Sequence, residues 1–175
     1  MTAELSETFE DSWGERRSKV VEWHDPAPTT ARGLAMAGID YLRAMADRAL
    51  PPPPISGLMD FELVAVDPGR VVFTCRPDES TYNPIGMVHG GLVCTLLDSV
   101  VGCALQSTLP QGKGYTSIEI KVNYLKAVRL TSGLLTATGT VVKSGSRVGF
   151  AEGVVTDPAG AIVATATSTL LVFDL

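Results

Sequence analysis

The stretch NPIGMVHGGLVCTLLDSVVGCA, residues 83–104, sets one carboxylate, Asp98, in a run of apolar and small residues that opens with His89-Gly90-Gly91. Burying an unpaired charge is costly, so an aspartate at such a position is either well partnered or kept for chemistry. A carboxylate in a partly desolvated cleft is a stronger base than in water and can activate a water molecule beside an electrophilic carbonyl. The two glycines open a helix, where backbone N–H groups lack internal partners and the helix dipole favours negative charge. With no side chains there, a carbonyl can approach within hydrogen-bonding distance of the amides. A plainer reading fits the same residues: a glycine-rich turn into a helix, and a structural carboxylate bonded to Ser117 or Thr95.

Spacing adds a constraint. Asp98 follows Gly90 by eight residues, which on one helix separates their backbones by about 12 Å at 1.5 Å per residue. A single carbonyl does not easily meet both. If the two act on one group, they most simply come from two copies of the chain, with helices antiparallel across a two-fold axis. The expectation is a homodimer, or a dimer of dimers, with sites shared between subunits.

The elements that must hold these residues are legible from periodicity. Apolar pairs at 92/93, 96/97, 100/101 and 104/105 make a wide helical stripe, and Gly91, Thr95, Asp98 and Gly102 make a second face of small residues plus the aspartate. Upstream, LMDFELVAVDPGRVVFTCRP has a hairpin pattern around Asp67-Pro68-Gly69. Downstream, YTSIEIKVNY alternates, predicting Thr116, Ile118, Ile120, Val122 and Tyr124 on a core face and Ser117, Glu119, Lys121 and Asn123 on a polar one. LLTATGTVV, VGFAEGVVT and IVATATSTLLVF follow, separated by the turn stretches Lys143–Arg147 and Asp157–Gly160. The order is two strands, one long helix and four strands. That is an α+β arrangement, an antiparallel sheet with one long central helix lying on it.

Residues 1 to about 28 mix charges with isolated aromatics and read as a loosely docked arm. From a cap at Thr29 or Thr30, apolar spacing through Leu34, Ile39, Leu42, Met45 and Ala49 predicts one accessory amphipathic helix. Pro51–Pro54 should stop it and form a stiff extended spacer. The expected division is 1–50 for the arm and helix and 51–175 for the main domain.

Bulk properties narrow the function classes. With 45% hydrophobic and 19% charged residues in 175, the chain can bury a sizeable core, and its net charge of −5 offers no general footprint for nucleic acid or anionic lipid. Cys75, Cys94 and Cys103 are an odd set without C-x-x-C spacing, read as reduced core residues of a cytoplasmic protein. The charged N-terminus has no secretory pattern and no run of about 18 apolar residues exists, so nothing is expected to span a membrane. With only His24 and His89 and no clustered thiols, neither a metal nor another cofactor is expected. No G-x-S-x-G turn is present, which argues against a serine triad.

Taken together, N-P-I-G-x-x-H-G-G with an aspartate nine residues after the histidine resembles the hotdog-fold acyl-CoA thioesterases of the phenylacetate-degradation type. YTSIEIKVNYLKAV is similar to that family's next strand and KSGSR to its later hairpin, and residues from about 57 to 173 follow its order of elements. The resemblance implies hydrolysis of acyl-CoA thioesters. It implies that Asp98 acts as nucleophile or general base and that the Gly90 amide polarises the thioester carbonyl. By the same resemblance Asn83 and His89 organise the loop, Ser117 orients water near the carboxylate, and Asp and Gly come from opposite subunits. Gly91 then lies at the substrate, and Lys143 and Arg147, flanking a tight turn, are candidates for the coenzyme A phosphates. One departure is Lys126-Ala127, where the family often has a basic or small residue and then proline; it puts only the path of the strand end in doubt. The alternative is a non-catalytic acyl-CoA binding or sensing protein, because a fold does not fix a function.

Overall fold

The computed structural model describes residues 13–175, so the first twelve residues of the expected arm lie outside the described part. The strands are β1 (Phe61–Asp67), β2 (Arg70–Cys75), β3 (Lys113–Tyr124), β4 (Leu135–Ser144), β5 (Val148–Thr156) and β6 (Ile162–Asp174). They form one antiparallel sheet in the order β1-β2-β4-β5-β6-β3. Between β2 and β3 the chain forms the long helix predicted from the apolar pairs, Gly90–Gln106, labelled α4 because three helices precede it among the described residues.

The stripe of α4 lies on the sheet with Leu96, Leu97, Val100, Val101, Ala104 and Leu105 all fully buried. Burying each of the leucines and valines contributes roughly 1.5–3 kcal/mol relative to exposure. The facing residues include Val71 and Phe73 of β2, Leu135 and Ala137 of β4, and Leu170 of β6. Helix and sheet come very close at Gly139, where a Cβ would sit 2.1 Å from the carbonyl oxygen of Val100. Only glycine fits there.

Strand β3 departs from strict alternation. Ser117 pairs with Leu170 and Glu119 with Thr169, so Ile118 is an extra residue in a β-bulge. The bulge changes the phase of the strand. Tyr115 and Ser117 face the helix before it, and Ile120 and Val122 pack on the core after it, while Ile118 is 58% exposed. The expectation that Thr116 and Ile118 share the core face with Ile120, and that Ser117 shares the polar face with Glu119, is therefore corrected on the N-terminal side of the bulge.

The accessory helix is also different from the expected one. It is two helices, α1 (Pro26–Leu34) and α2 (Gly38–Ala46), and α1 is capped by Asp25, whose side chain accepts from the Ala27 N–H, rather than by a threonine. The break comes where Gly38 docks on the far end of α4. Its N–H donates to the Leu109 carbonyl at 3.0 Å, and a Cβ would lie 1.9 Å from the carbonyl oxygen of Gln106. Leu42 of α2 is buried with the main core. The proline run is extended only to Pro53, since Pro54 starts the short helix α3 (Pro54–Met59), as suits proline in a first helical turn.

After β3, the N–H groups of Leu125 and Lys126 both donate to Val163, and Lys126 Nζ reaches the Asp157 carboxylate at 2.6 Å. That contact, with two Asp157 Oδ1 bonds to the Ala159 and Ala161 amides, fixes the strand end where the sequence departs from the family pattern. All three cysteines are unpaired, Cys75 buried and the other two partly so. No helix among the described residues is long and apolar enough to cross a membrane.

Candidate active site

Asp98 lies on the half-buried flank of α4, facing β3. Ser117 Oγ donates to its Oδ1 at 2.8 Å, and Oδ2 makes no hydrogen bond among the described residues. The hydroxyls next to it on the helix are otherwise engaged: Thr95 Oγ1 donates to the Gly91 carbonyl and Ser99 Oγ to the Thr95 carbonyl. Asp98 is thus held through one oxygen, by Ser117 and not by Thr95. The other oxygen is free to take a proton or attack.

Asp98 opens onto a cavity of about 430 Å³. Met45 of α2, Arg48 just after it, Phe61 and Leu63 of β1, Phe73 of β2 and Tyr115 of β3 contribute to its wall. Next to the carboxylate, desolvation pushes the Cys103 thiol up to about 12, with the Asp98 charge adding to the effect. Burial, then Cys103 and Asp98, hold the Tyr115 hydroxyl well above its ordinary value. Both stay protonated and uncharged at neutral pH.

At the other end of α4, His89 is the N-cap. Its Nδ1 accepts from the Gly91 N–H at 2.8 Å, so a neutral ring carries its proton on Nε2. Leu92 N–H donates to the His89 carbonyl. The Gly90 N–H is left without a partner among the described residues, while the Gly91 amide, expected at the substrate, is taken by the cap. Gly91 serves the cap in a second way, because a Cβ there would come 2.9 Å from His89 Nδ1. The loop before the helix is wound by Asn83, whose Oδ1 accepts from the Ile85 and Met87 amides at 3.1 Å each. Both side chains hydrogen-bond to backbone amides where the chain enters α4.

Two tyrosines that the sequence did not assign to the site complete the arrangement; of these Tyr124, expected on the core face, is 55% exposed. Tyr124 lies over Gly90, its hydroxyl donating to the Gly90 carbonyl at 3.0 Å, and Tyr115 lies over Gly102. Their signal was present as the two aromatic ends of the β3 segment facing the small-residue side of the helix.

Within one chain, Gly90 and Asp98 do not share a site. Gly90 lines an apolar groove of about 320 Å³ with Val88, Val93, Tyr124 and Leu125, and no residue lines both this groove and the Asp98 cavity. Lys143 and Arg147 are exposed on the β4–β5 hairpin. Ser144 of that hairpin contacts Thr108, just past the C-terminal end of α4, and neither cation lines the Asp98 cavity.

A six-stranded antiparallel sheet wrapped on one central helix is the hotdog fold, and the chain belongs to the thioesterase superfamily, whose family model matches residues 85–164. It is 32% identical over 88 residues to human acyl-coenzyme A thioesterase 13, a match covering 50% of this chain and 61% of that protein. Among solved structures, a hypothetical thioesterase protein with coenzyme A from Streptococcus pneumoniae is 30% identical, with 65% of this chain and 86% of that one covered at a TM-score of 0.60. A phenylacetic acid degradation-related thioesterase from Ralstonia eutropha is 26% identical, with 75% and 98% covered at a TM-score of 0.68.

Proposed function

We propose that this chain hydrolyses acyl-CoA thioesters to the free acid and coenzyme A, at sites built from Asp98 of one subunit and the Gly90 amide of another. The observation that carries this reading is the half-tethered carboxylate: Asp98 with one oxygen bonded to Ser117 and the other open to a cavity. A carboxylate held through one oxygen keeps the other available to a reacting water. The names of the relatives, an acyl-coenzyme A thioesterase and a thioesterase with coenzyme A, supply the substrate class.

In this reading Asp98 accepts a proton from water as the water oxygen attacks the thioester carbonyl carbon. The resulting oxyanion is bound by the uncapped Gly90 N–H, at the positive end of α4. The C–S bond then breaks and the departing thiolate takes the proton back from Asp98. If Asp98 is instead the nucleophile, its free oxygen attacks the thioester carbonyl carbon and expels the thiolate, leaving a mixed anhydride; in ¹⁸O water, hydrolysis at the aspartyl carbonyl labels Asp98 and hydrolysis at the acyl carbonyl labels the product acid.

The test is thiol release from a panel of acyl-CoAs by the wild-type chain beside Asp98→Asn. The variant should lose roughly 10²–10⁴ in rate, the usual worth of a positioned base. Binding of acyl-CoA by both proteins with turnover by neither would favour a binding protein and overturn the proposal.

A further inference from the structure

We infer that Lys19, on the arm that precedes α1, is a positioning residue for the helix end that carries Gly90, and that it acts there through Asp78. The inference rests on the hydrolytic reading for what the Gly90 amide does. The contacts that carry it stand independently of that reading.

Residues 16–25 form neither helix nor strand, yet the arm is seated on the domain. In extended chain, residues two apart share a side, and Arg17, Lys19 and Val21 turn inward together. Arg17 Nη1 meets Glu79 Oε1 at 3.1 Å, Lys19 Nζ meets Asp78 Oδ2 at 2.6 Å, and Val21 is half-buried near Gly57 of α3. At Gly57 the arm passes so close that a Cβ would come 2.9 Å from the Glu22 carbonyl oxygen. Val20, on the opposite side, is 87% exposed. Of the two ion pairs, that of Lys19 is the better shielded, its side chains 30% and 38% exposed against 69% and 49% for Arg17 and Glu79.

Asp78 passes this seat on to α4. It caps the 3₁₀ turn Glu79–Thr81: its Oδ1 accepts from the Ser80 N–H at 2.8 Å, and its carbonyl accepts from the Thr81 hydroxyl at 2.7 Å. The Thr81 carbonyl accepts the His89 N–H at 2.8 Å, and Tyr82 forms a β-bridge with Val88 beside it. His89 Nδ1 then accepts from the Gly91 N–H. Each step from Lys19 Nζ to the Gly91 amide is a hydrogen bond or lies within one residue. The Lys19 ammonium, with Ser80, holds the Asp78 carboxyl below its ordinary range, so the pair is intact at neutral pH. With Lys19 gone, the turn, His89 and the neighbouring Gly90 N–H lose a fixed reference.

The test compares Lys19→Ala, Lys19→Arg and the double reversal Arg17→Glu with Lys19→Glu, which sets like charges against Glu79 and Asp78, all in the full chain. Trp13 and Trp23 are the protein's two tryptophans, so fluorescence anisotropy in a Trp23→Phe background reads the arm through Trp13. Amide hydrogen exchange reads His89 and Gly91. Lys19→Ala should speed exchange at both amides and lower kcat about fivefold, the upper reach of a partly exposed ion pair, with KM and Tm little changed. Lys19→Arg should restore both. Raising salt to about 1 M, where the Debye length is about 3 Å, should bring the wild-type kcat down towards that of Lys19→Ala and leave the variant where it is. Unchanged exchange at His89 and Gly91 in both Lys19→Ala and the double reversal overturns the inference, whether or not Trp13 is released. Faster exchange with an unchanged kcat makes Lys19 structural only and overturns it equally. If the wild type releases no thiol from any acyl-CoA, the hydrolytic reading falls and exchange alone decides whether Lys19 positions the helix end.

Discussion

Ser117 Oγ reaches Asp98 Oδ1 at 2.8 Å because a β-bulge at Ile118 turns the N-terminal half of β3 towards the helix. Without the extra residue, a strand that places Ile120 and Val122 in the core would point Ser117 at solvent. The bulge therefore serves the carboxylate as well as the sheet.

Ser117→Ala leaves Asp98 without its partner. A hydrogen bond to a charged group is worth about 1.5–3 kcal/mol, so thioester hydrolysis should slow by roughly 10–100-fold. Thermal unfolding should change little by comparison. Steady-state thiol release beside a melting curve checks this, and an unchanged rate would show that Ser117 only packs.

Replacing His89 with Ala removes the cap on the Gly91 amide. Loss of a capping side chain costs about 1 kcal/mol, which lowers Tm by roughly 2–4 °C in a protein of this size. The freed Gly91 amide then competes with Gly90 for the substrate carbonyl. Activity should fall further than stability does, as calorimetry and kinetics on the same preparation would reveal.

Gly90→Pro deletes the proposed oxyanion donor, with the Tyr124 ring giving way, since a Cβ at Gly90 would lie 3.1 Å from Tyr124 Cζ. Proline suits the first helical position and His89 already has an extended backbone, φ −62° and ψ 134°, so the helix should survive. Loss of one such donor costs about 10²–10³ in kcat. Co-refolding this variant with Asp98→Asn at equal amounts should restore about a quarter of wild-type activity, since half of random dimers are mixed and each keeps one intact shared site. No recovery on mixing would place Asp98 and Gly90 of one site in the same subunit.

The thiols give a pH prediction. Desolvation is the largest cause raising both Cys75 and Cys103 to about 12, against an ordinary thiol near 9. The folded protein keeps these protons when the unfolded chain has lost them. Stability from this source is thus complete below pH 9 and declines as pH rises towards 12. Tm measured from pH 8 upward should drop, and less steeply in Cys103→Ala. Neither thiol should react with iodoacetamide at pH 8 in the native state.

The central helix and all six strands were legible because stripes and alternation report burial directly. Asp98 and Gly90 stand out against their local pattern, whereas the roles expected of Asn83 and His89 came only with the family resemblance. What sequence periodicity could not give was anything decided by a distant backbone. The bulge at Ile118 depends on the partner strand β6, and the break before Gly38 depends on the Gln106 carbonyl oxygen. The cavity wall gathers residues from 45 to 115 that no local window contains. Lys143 and Arg147 looked apt because they are cationic beside a turn, yet in the chain they stand apart from Asp98.

Strand β3 meets α4 at three points, Tyr115 over Gly102, Ser117 at Asp98 and Tyr124 over Gly90. A slip of its pairing with β6 by two residues would keep every side chain on its proper face, yet carry Ser117 about 7 Å along the sheet. Such a molecule would have nearly the same secondary structure and a core of similar composition. Its carboxylate would be unaccompanied and its helix N-terminus uncovered. The chain's chemistry is in this sense a vernier reading of one strand against one helix, and a preparation can be well folded by every spectroscopic criterion while being out of tune by a single pleat.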